Sequence, residues 1–498
     1  MEWLRNISTW EIAGWAGALH VLLFFGVAMH CLAHRRESRS TIIWLFSVWG
    51  FPFLGALGYA TFGISRVPRK AWRKKHTDTR LGDARSKSER ESKPLAYWRS
   101  LREAALCQPP EKAKRFDAIL DRVTPDHRLL SGNSVKLLED GTETFPAMLE
   151  AIRSARHHIH LMSYIIGADD VARELLDACA ERARAGVKVR VMFDAFGSME
   201  TRGRFFFLRY RRVPNMRIMK FTQVNIFKQQ MQVNLRNHRK SLVVDGRIAF
   251  TGGVNLHEGH VAKGDRQAIR DYHFEILGPL VNELQYTFMR DWYYMTDESP
   301  EELLSEAYFG DQAFAGNVPA RIVNCGPTSL ENTVEEVFFN AIGEARQEII
   351  VVTPYLVLTE PLLYAFRMAA MGGVRIRLIV PGNNNHVSVF YASRSQYEEL
   401  LEAGVRIFER RGPLLHAKAM VVDGCVSIFG SANMDVRSLR LNYETIVVSY
   451  AAETADRLLS ELRQDLAQSD EILYGAWRRR KLGTRLLENF FSLAAPIL

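Results

Sequence analysis

The chain has 498 residues, 47% hydrophobic and 24% charged, with a formal net charge of +9. That is an ordinary globular composition with room for two or three domains, and the positive balance suits an anionic partner without choosing between phospholipid, nucleic acid and simple solubility. The 5 cysteines (Cys31, Cys107, Cys179, Cys325, Cys425) are scattered and form no Cys-x-x-Cys pair, which argues against a disulfide framework and a thiolate metal site and suits a reducing compartment.

In chain order, Ile12 to Ala33 is an apolar run broken only by His20 and His30, and Thr41 to Gly63 is a second one, rich in Trp, Phe and Gly. Each is close to the roughly 20 residues that cross a bilayer as a helix, with Pro52 expected to kink the second. The polar loop between them, Arg35 to Ser40, completes a predicted transmembrane hairpin over 1–65. Arg5 is the only basic residue before the first run, which is also long for a signal peptide. Arg66, Arg69, Lys70, Arg73, Lys74 and Lys75 follow the second run and outweigh Arg35, Arg36 and Arg39, so the positive-inside rule predicts a cytoplasmic body on a multi-pass anchor. Residues 66–128 read as a basic linker, equally suited to attraction to anionic lipid, at about 1 kcal/mol per Lys or Arg near the surface, and to a solvated linker that follows the topology rule.

The rest alternates helix-like and strand-like segments and does so twice, over 129–315 and 316–498. Phe145 to Ala155 has helical spacing, His158 to Ile166 reads as a strand, Val171 to Ala185 as a helix and Val187 to Asp194 as a strand. Val334 to Ala345, Ile349 to Leu356, Pro361 to Met371 and Val374 to Val380 repeat that order. Gly186 and Gly373 suit helix C-caps before matching strands. The expectation is an α/β body built from two similar halves.

Each half carries His-x-Lys-x-x-x-x-Asp: His238, Lys240 and Asp245, then His416, Lys418 and Asp423. The histidines of the two copies are separated by the same number of residues as Asn255 and Asn433, so motif and asparagine were duplicated together. Two residues apart on an extended chain, each histidine shares a face with its lysine. Two such faces brought together would surround a phosphodiester with two imidazoles and two ammonium groups. Asp245-Gly246 and Asp423-Gly424 sit between strand-like runs and read as hairpin turns supporting the motif. The returning runs end in Asn255 and Asn433, whose amides can donate to an oxyanion.

These motifs resemble the phospholipase D superfamily and, through the whole layout, its bacterial cardiolipin synthases. The resemblance rests on Asn237-His238-Arg239-Lys240, Thr251-Gly252-Gly253-Val254-Asn255, Gly430-Ser431-Ala432-Asn433, Asp140-Gly141, Thr353-Pro354-Tyr355 and Phe62-Gly63. It implies two phospholipase D-like halves forming one catalytic body, and metal- and cofactor-independent double displacement through a phosphohistidine. His238 and His416 would act as nucleophile and acid–base pair, with Lys240, Lys418, Asn255 and Asn433 on the phosphate oxygens and Asp245 and Asp423 completing the motif. By the logic of catalytic triads each histidine needs a carboxylate partner. The resemblance gives Glu444 in the second half; in the first, Asp271 in Arg270-Asp271-Tyr272-His273-Phe274-Glu275 is the choice read from the residues, with Glu275 second.

The chain departs from the family at Ile269, where tryptophan is frequent, at Asn385-His386, where Asp-His is common, and at Gly259-His260-Val261, which lacks a frequent tyrosine. These affect substrate preference more than the duplicated set. His157, His158 and His160 lack acidic or thiolate companions at ligand spacing and read as structural. Trp477 to Lys481 followed by Leu482 to Leu498 is basic then apolar, equally suited to a membrane interface and a packed terminal helix. The expected activity is the joining of two phosphatidylglycerol molecules at a bacterial inner membrane. A phospholipase D hydrolase and a silent membrane scaffold are the alternatives. A nuclease is disfavoured by the hairpin and by the lack of an aromatic and basic stacking tract.

Overall fold

Among the described residues, seventeen strands account for the alternation seen in the sequence. The structure is a computed structural model that describes residues 9–33, 38–63, 67–91, 95–203, 205–221, 235–296, 298–327, 333–383 and 386–493. Arg5, the inter-span residues Arg35, Arg36 and Glu37, Arg66, Asn385 and the tail beyond Leu493 lie outside the described residues. Met1–Lys70 and Ala71–Leu498 form two compact units.

In the first unit, Thr9–Ala33 is one helix whose Gly14–Ala33 portion is long and apolar enough to cross a membrane. The second apolar run differs from the single span expected. It forms Ser38–Gly50, breaks at Phe51, Pro52 and Phe53, and resumes as Leu54–Gly58 and a wide turn to Gly63. Proline has no N–H for the helical ladder, and Phe53 turns to φ 65° beside it. Among the described residues only the first helix has spanning length. Inside the unit, Tyr59 Oη meets His30 Nδ1 at 2.7 Å and Cys31 Sγ at 3.2 Å, so two polar side chains of the apolar helix share one partner.

In the second unit the strands are β1 (Leu130–Glu139), β2 (His158–Ser163), β3 (Lys188–Phe193), β4 (Met216–Lys220), β5 (Ser241–Val244), β6 (Ile248–Gly252), β7 (Tyr272–Leu277) and β8 (Val318–Cys325). They continue as β9 (Glu348–Val352), β10 (Leu356–Val357), β11 (Arg375–Pro381), β12 (Arg406–Arg410), β13 (Ala419–Val422), β14 (Val426–Gly430), β15 (Met434–Asp435), β16 (Glu444–Ser449) and β17 (Ser469–Ile472). Fifteen form one sheet in the order β17-β12-β11-β9-β13-β14-β16-β8-β1-β7-β6-β5-β2-β3-β4. Read outward from the antiparallel β8–β1 junction, the two sides mirror each other: β16 and β7, β14 and β6, β13 and β5, β9 and β2, β11 and β3, β12 and β4. Every residue of β2, β5 and β13 is buried, as expected of strands covered on both faces. Gly186 (φ 98°) and Gly373 (φ 94°) take the left-handed conformation after their helices, which only glycine adopts without strain.

Residues 66–128, expected as a linker, are largely helical and packed. They form Val67–Arg90, Leu95–Ala104 and Lys114–Val123, and bury Trp98, Leu101, Phe116 and Leu120 in the cores of the body. The first of these helices joins the body through charge: Arg85 pairs with Glu283, Lys74 with Asp291 at 3.0 Å, and Arg290 with Asp78 at 2.9 Å. A helix held by ion pairs carries little apolar periodicity, which is why its sequence reads as linker.

The two Asp-Gly turns have positive φ at both central residues, 54° and 61° at Asp245 and Gly246, and 50° and 65° at Asp423 and Gly424, the tight hairpin geometry of two-residue turns. Asp245 accepts from the backbone N–H groups of Arg156, His157 and His158 at 2.7–2.8 Å. Asp423 repeats this with Arg346, Gln347 and Glu348 at 2.7–2.8 Å. Both aspartates therefore pin a hairpin to the neighbouring strand, in line with the supporting turn read from Asp-Gly. Asp423→Ala removes three charge-assisted bonds and puts a Cβ residue at positive φ without their support. It should lower stability by about 3 kcal/mol, read from denaturant midpoints of the full chain, while turnover per folded molecule stays within about twofold. Unchanged stability with lost turnover would return the aspartate to the chemistry.

Candidate active site

Both His-x-Lys segments lie just ahead of their hairpin strands, in extended chain that pairs with the other half. The N–H of His238 donates to Tyr443 O at 3.0 Å, and the N–H of His416 donates to Arg270 O at 2.7 Å. Tyr443 and Arg270 each precede an acid. The backbone thus sets each histidine beside the carboxylate of the opposite half.

His238 Nδ1 lies 2.9 Å from Glu444 Oε1 and 3.0 Å from Oε2. His416 Nδ1 lies 2.7 Å from Asp271 Oδ2. With each Nδ1 donating to a carboxylate, each Nε2 is left as the reactive nitrogen. Glu275, the second choice, is further along β7, opposite Lys136. Glu444 and Asp271 are fully buried. Burial alone would raise Glu444, but the attraction of His238 and the hydrogen bonds from His238 and Ser431 hold it below the usual carboxylate range. Ser431 Oγ donates to Glu444 at 2.6 Å. The matching residue of the first half is Gly253, where an added Cβ would run into the shorter Asp271 carboxylate.

The four basic groups repel one another in a dry site. Burial pushes the Lys240 ammonium down to about 7, with Glu444 opposing and Lys418 adding to the fall. Burial brings Lys418 to about 8 against the pull of Asp271 and Glu444. His238 is lowered by burial despite Glu444, and His416 lies well below its ordinary value through burial and then the charges of Lys418, Lys240 and His238. The histidines of the two halves therefore share one electrostatic environment. Lys240 Nζ donates to His238 O at 2.7 Å, and Lys418 Nζ donates to His416 O.

The asparagines differ. Asn255 Oδ1 accepts from the Ile165 N–H at 3.2 Å, which turns its NH2 group the other way. Asn433 Nδ2 donates to Asp435 at 3.0 Å and its Oδ1 is buried without a hydrogen bond among the described residues, so the expected oxyanion donor is engaged. Burial lifts Asp435 to about 6.

Sequence reasoning did not single out several supports. Buried Asp291 holds Arg239 at 2.7 Å, Asn237 at 2.8 Å and Lys74 at 3.0 Å, clamping the chain around His238. Asp194 Oδ2 accepts from the Asn237 N–H at 3.0 Å. Asp140, at φ 52°, accepts from the Asp271 N–H at 2.6 Å, and burial lifts it to about 7. Tyr164 sets its ring 4.9 Å from that of His238. The matched Ser163-Tyr164 and Pro354-Tyr355 placements were the available signal for it.

Among the described residues, His260, Asp271 and His416 form the only group with ligand atoms spaced for a metal ion. Lys418 Nζ already stands 2.9 Å from the same His416 Nδ1, and an ammonium there repels a divalent cation. His158 and His160 are elsewhere: His160 bonds Gln285 at 2.9 Å and stacks 4.7 Å from Phe288.

With this geometry in hand, the comparisons with known proteins identify the family. The family model described as "Cardiolipin synthase, PLD-like domain" matches residues 148–292 and 338–466, and a phospholipase D-nuclease N-terminal model matches residues 19–63. A cardiolipin synthase of Geobacillus thermodenitrificans is 32% identical over 97% of this chain and 95% of its own, and cardiolipin synthase 1 of Bacillus cereus is 31% identical over 99% and 96%. The crystal structure of phosphatidylserine synthase from Haemophilus influenzae superposes with a TM-score of 0.59 at 15% identity, covering 78% of this chain and all of that one, a likeness of fold. The chain belongs to the phospholipase D-type cardiolipin synthase family.

An anion entering the site favours the ammonium forms and lifts the lysine pKa values from about 7 and about 8. Tungstate, which brings no proton at pH 8, should therefore bind with uptake of about one proton. Calorimetry in buffers of different ionisation enthalpy reads this. Proton release would contradict the electrostatic account.

Proposed function

We propose that this chain is a phosphatidyltransferase that joins two phosphatidylglycerol molecules into cardiolipin and releases glycerol. The observation that carries the reading is the joint site, where two imidazoles with carboxylate-bound Nδ1 atoms share one electrostatic environment with two lysine ammonium groups.

The donor phosphodiester sits between the histidines with its non-bridging oxygens on Lys240 and Lys418 and on the Asn255 amide. Its negative charge offsets the repulsion that holds the histidines neutral, so one imidazole can carry a proton. The Nε2 of one neutral histidine forms a bond to phosphorus, and the P–O bond to glycerol breaks. The other histidine gives its proton to the departing glycerol oxygen. Now neutral, it takes the proton from a free hydroxyl of a second phosphatidylglycerol. That oxygen attacks phosphorus, the P–N bond breaks, and cardiolipin leaves with both histidines restored. Glu444 and Asp271 fix the tautomers and stabilise each imidazolium, as a buried aspartate does in a hydrolase triad. Electrons and protons balance within the protein, so the cycle uses no cofactor.

An alcohol in place of water as acceptor suits a site next to lipid. We read residues 1–65 as a two-pass anchor in a bacterial inner membrane, the second pass being bent at Pro52, and the catalytic body as cytoplasmic. The spanning helix Gly14–Ala33 supports attachment, and the excess of basic residues after the second apolar run supports the orientation.

Reconstituted protein given phosphatidylglycerol should yield cardiolipin and glycerol in equal amounts, measured by mass spectrometry and unaffected by a chelator. His238→Ala and His416→Ala should each lower the rate by at least about a thousandfold. Phosphatidic acid as the only product would make the protein a hydrolase. No product from any phospholipid would refute the enzyme.

A further inference from the structure

The crossover that follows β3, and the C-terminal helix packed on the crossover that follows β11, each expose apolar side chains beside basic ones. After β3 the chain runs Phe196 to Arg212. Phe206 and Phe207 turn inward, with Phe207 stacked 4.3 Å from Phe193, and Tyr210 donates to Asp177 at 2.9 Å. Phe196, Met199, Phe205 and Leu208 point outward, Phe205 with 71% and Leu208 with 58% of its surface exposed. Arg202, Arg209, Arg211 and Arg212 are exposed among them. A folded segment with its own buried anchors has no need to leave four large apolar side chains in water.

That segment is tied to the catalytic chain. Asp194 accepts from the N–H groups of Phe196 and Gly197 at 2.8 and 3.1 Å through one oxygen and from Asn237, next to His238, through the other. The Arg236 guanidinium lies 3.6 Å over the Phe196 ring and donates to Tyr164, whose ring packs on His238.

After β11 the helix Val387–Ser395 occupies the equivalent crossover, and the C-terminal helix Leu482–Ser492 packs on it, with Phe491 stacked 5.5 Å from Tyr391. Leu482, Leu486, Phe490 and Leu493 keep one outward line at helical spacing, Phe490 at 65% exposure. Arg478, Arg479, Lys481 and Arg485 are exposed beside it. Apolar residues in one line with cations at its flank are the pattern of helices that lie in a headgroup layer.

We propose that the crossover after β3 and the C-terminal helix are interfacial surfaces that seat the catalytic body on an anionic bilayer, so that phosphatidylglycerol passes from the leaflet to the joint histidine site without crossing water. The inference rests on the phosphatidyltransferase reading for the identity of the lipid. The cations match an anionic headgroup layer, each adding about tenfold or less to partitioning, and the apolar residues reach below it.

The test uses the full chain reconstituted in vesicles, comparing bilayer phosphatidylglycerol with a short-chain phosphatidylglycerol supplied as monomers. Phe205→Ser with Leu208→Ser, and separately Leu486→Ser with Phe490→Ser, should lower kcat/KM on the bilayer substrate at least about tenfold and leave the monomer rate unchanged. Equal rates on both substrates, or an equal loss on both, would overturn the proposal. A nitroxide at Leu208→Cys supplies a readout independent of turnover. It should show lipid immersion in phosphatidylglycerol vesicles, and a label left in water overturns the interface. A wild type that processes neither substrate while the label is immersed would sink the phosphatidyltransferase reading and keep the surface.

Discussion

Everything in the catalytic body is arranged around an exchange of carboxylates between its halves. Glu444 of the second half orients His238 of the first, and Asp271 of the first orients His416 of the second. The exchange is written in the backbone, because the chain before each histidine hydrogen-bonds to the residue before the opposite acid. Neither half could supply an oriented imidazole alone. The β8–β1 junction, which joins two sheets into one, keeps these pairs in register, and the ion pairs of Asp291 fix the segment on one side.

The electrostatics follow from that closeness. Four basic groups in a buried volume would each prefer to lose a proton, and burial is the leading cause of the fall in Lys240, Lys418, His238 and His416. The two buried carboxylates offset part of this repulsion. The remaining deficit is what a phosphodiester fills, and its arrival restores the charges that stabilise the developing oxyanion. A site poised in this way favours substrate by relief of repulsion as well as by contact.

Much of this was legible in the sequence. The duplicated His-x-Lys pattern, the asparagines, and the strand and helix order appear in the chain as they appear in the fold, because alternation of buried strands and amphipathic helices leaves a strong periodic signal. Asp271 and Glu444 were identified, but which histidine each serves depends on long-range pairing that spacing does not encode. Asp245 and Asp423 read as turn residues from Asp-Gly, and each accepts three backbone bonds that spacing alone does not show. The helix Val67–Arg90 was misread because its burial depends on charge pairing by Lys74 and Arg85, which looks like a solvated stretch. The second apolar run reads as one span kinked at Pro52, where the fold breaks it into separate helices, and the role of Asp291 is not legible because it acts only through partners distant in sequence.

If the two halves make one site, the chain carries one covalent phosphatidyl group at a time. The most direct measurement is acid quenching of the working protein in phosphatidylglycerol, followed by mass spectrometry of the histidine-containing peptides. A single phosphatidyl group per chain, always on the same member of the pair His238 and His416, is the result the account predicts. Phosphatidyl groups on both histidines of one chain, as two independent half-sites would give, would contradict it.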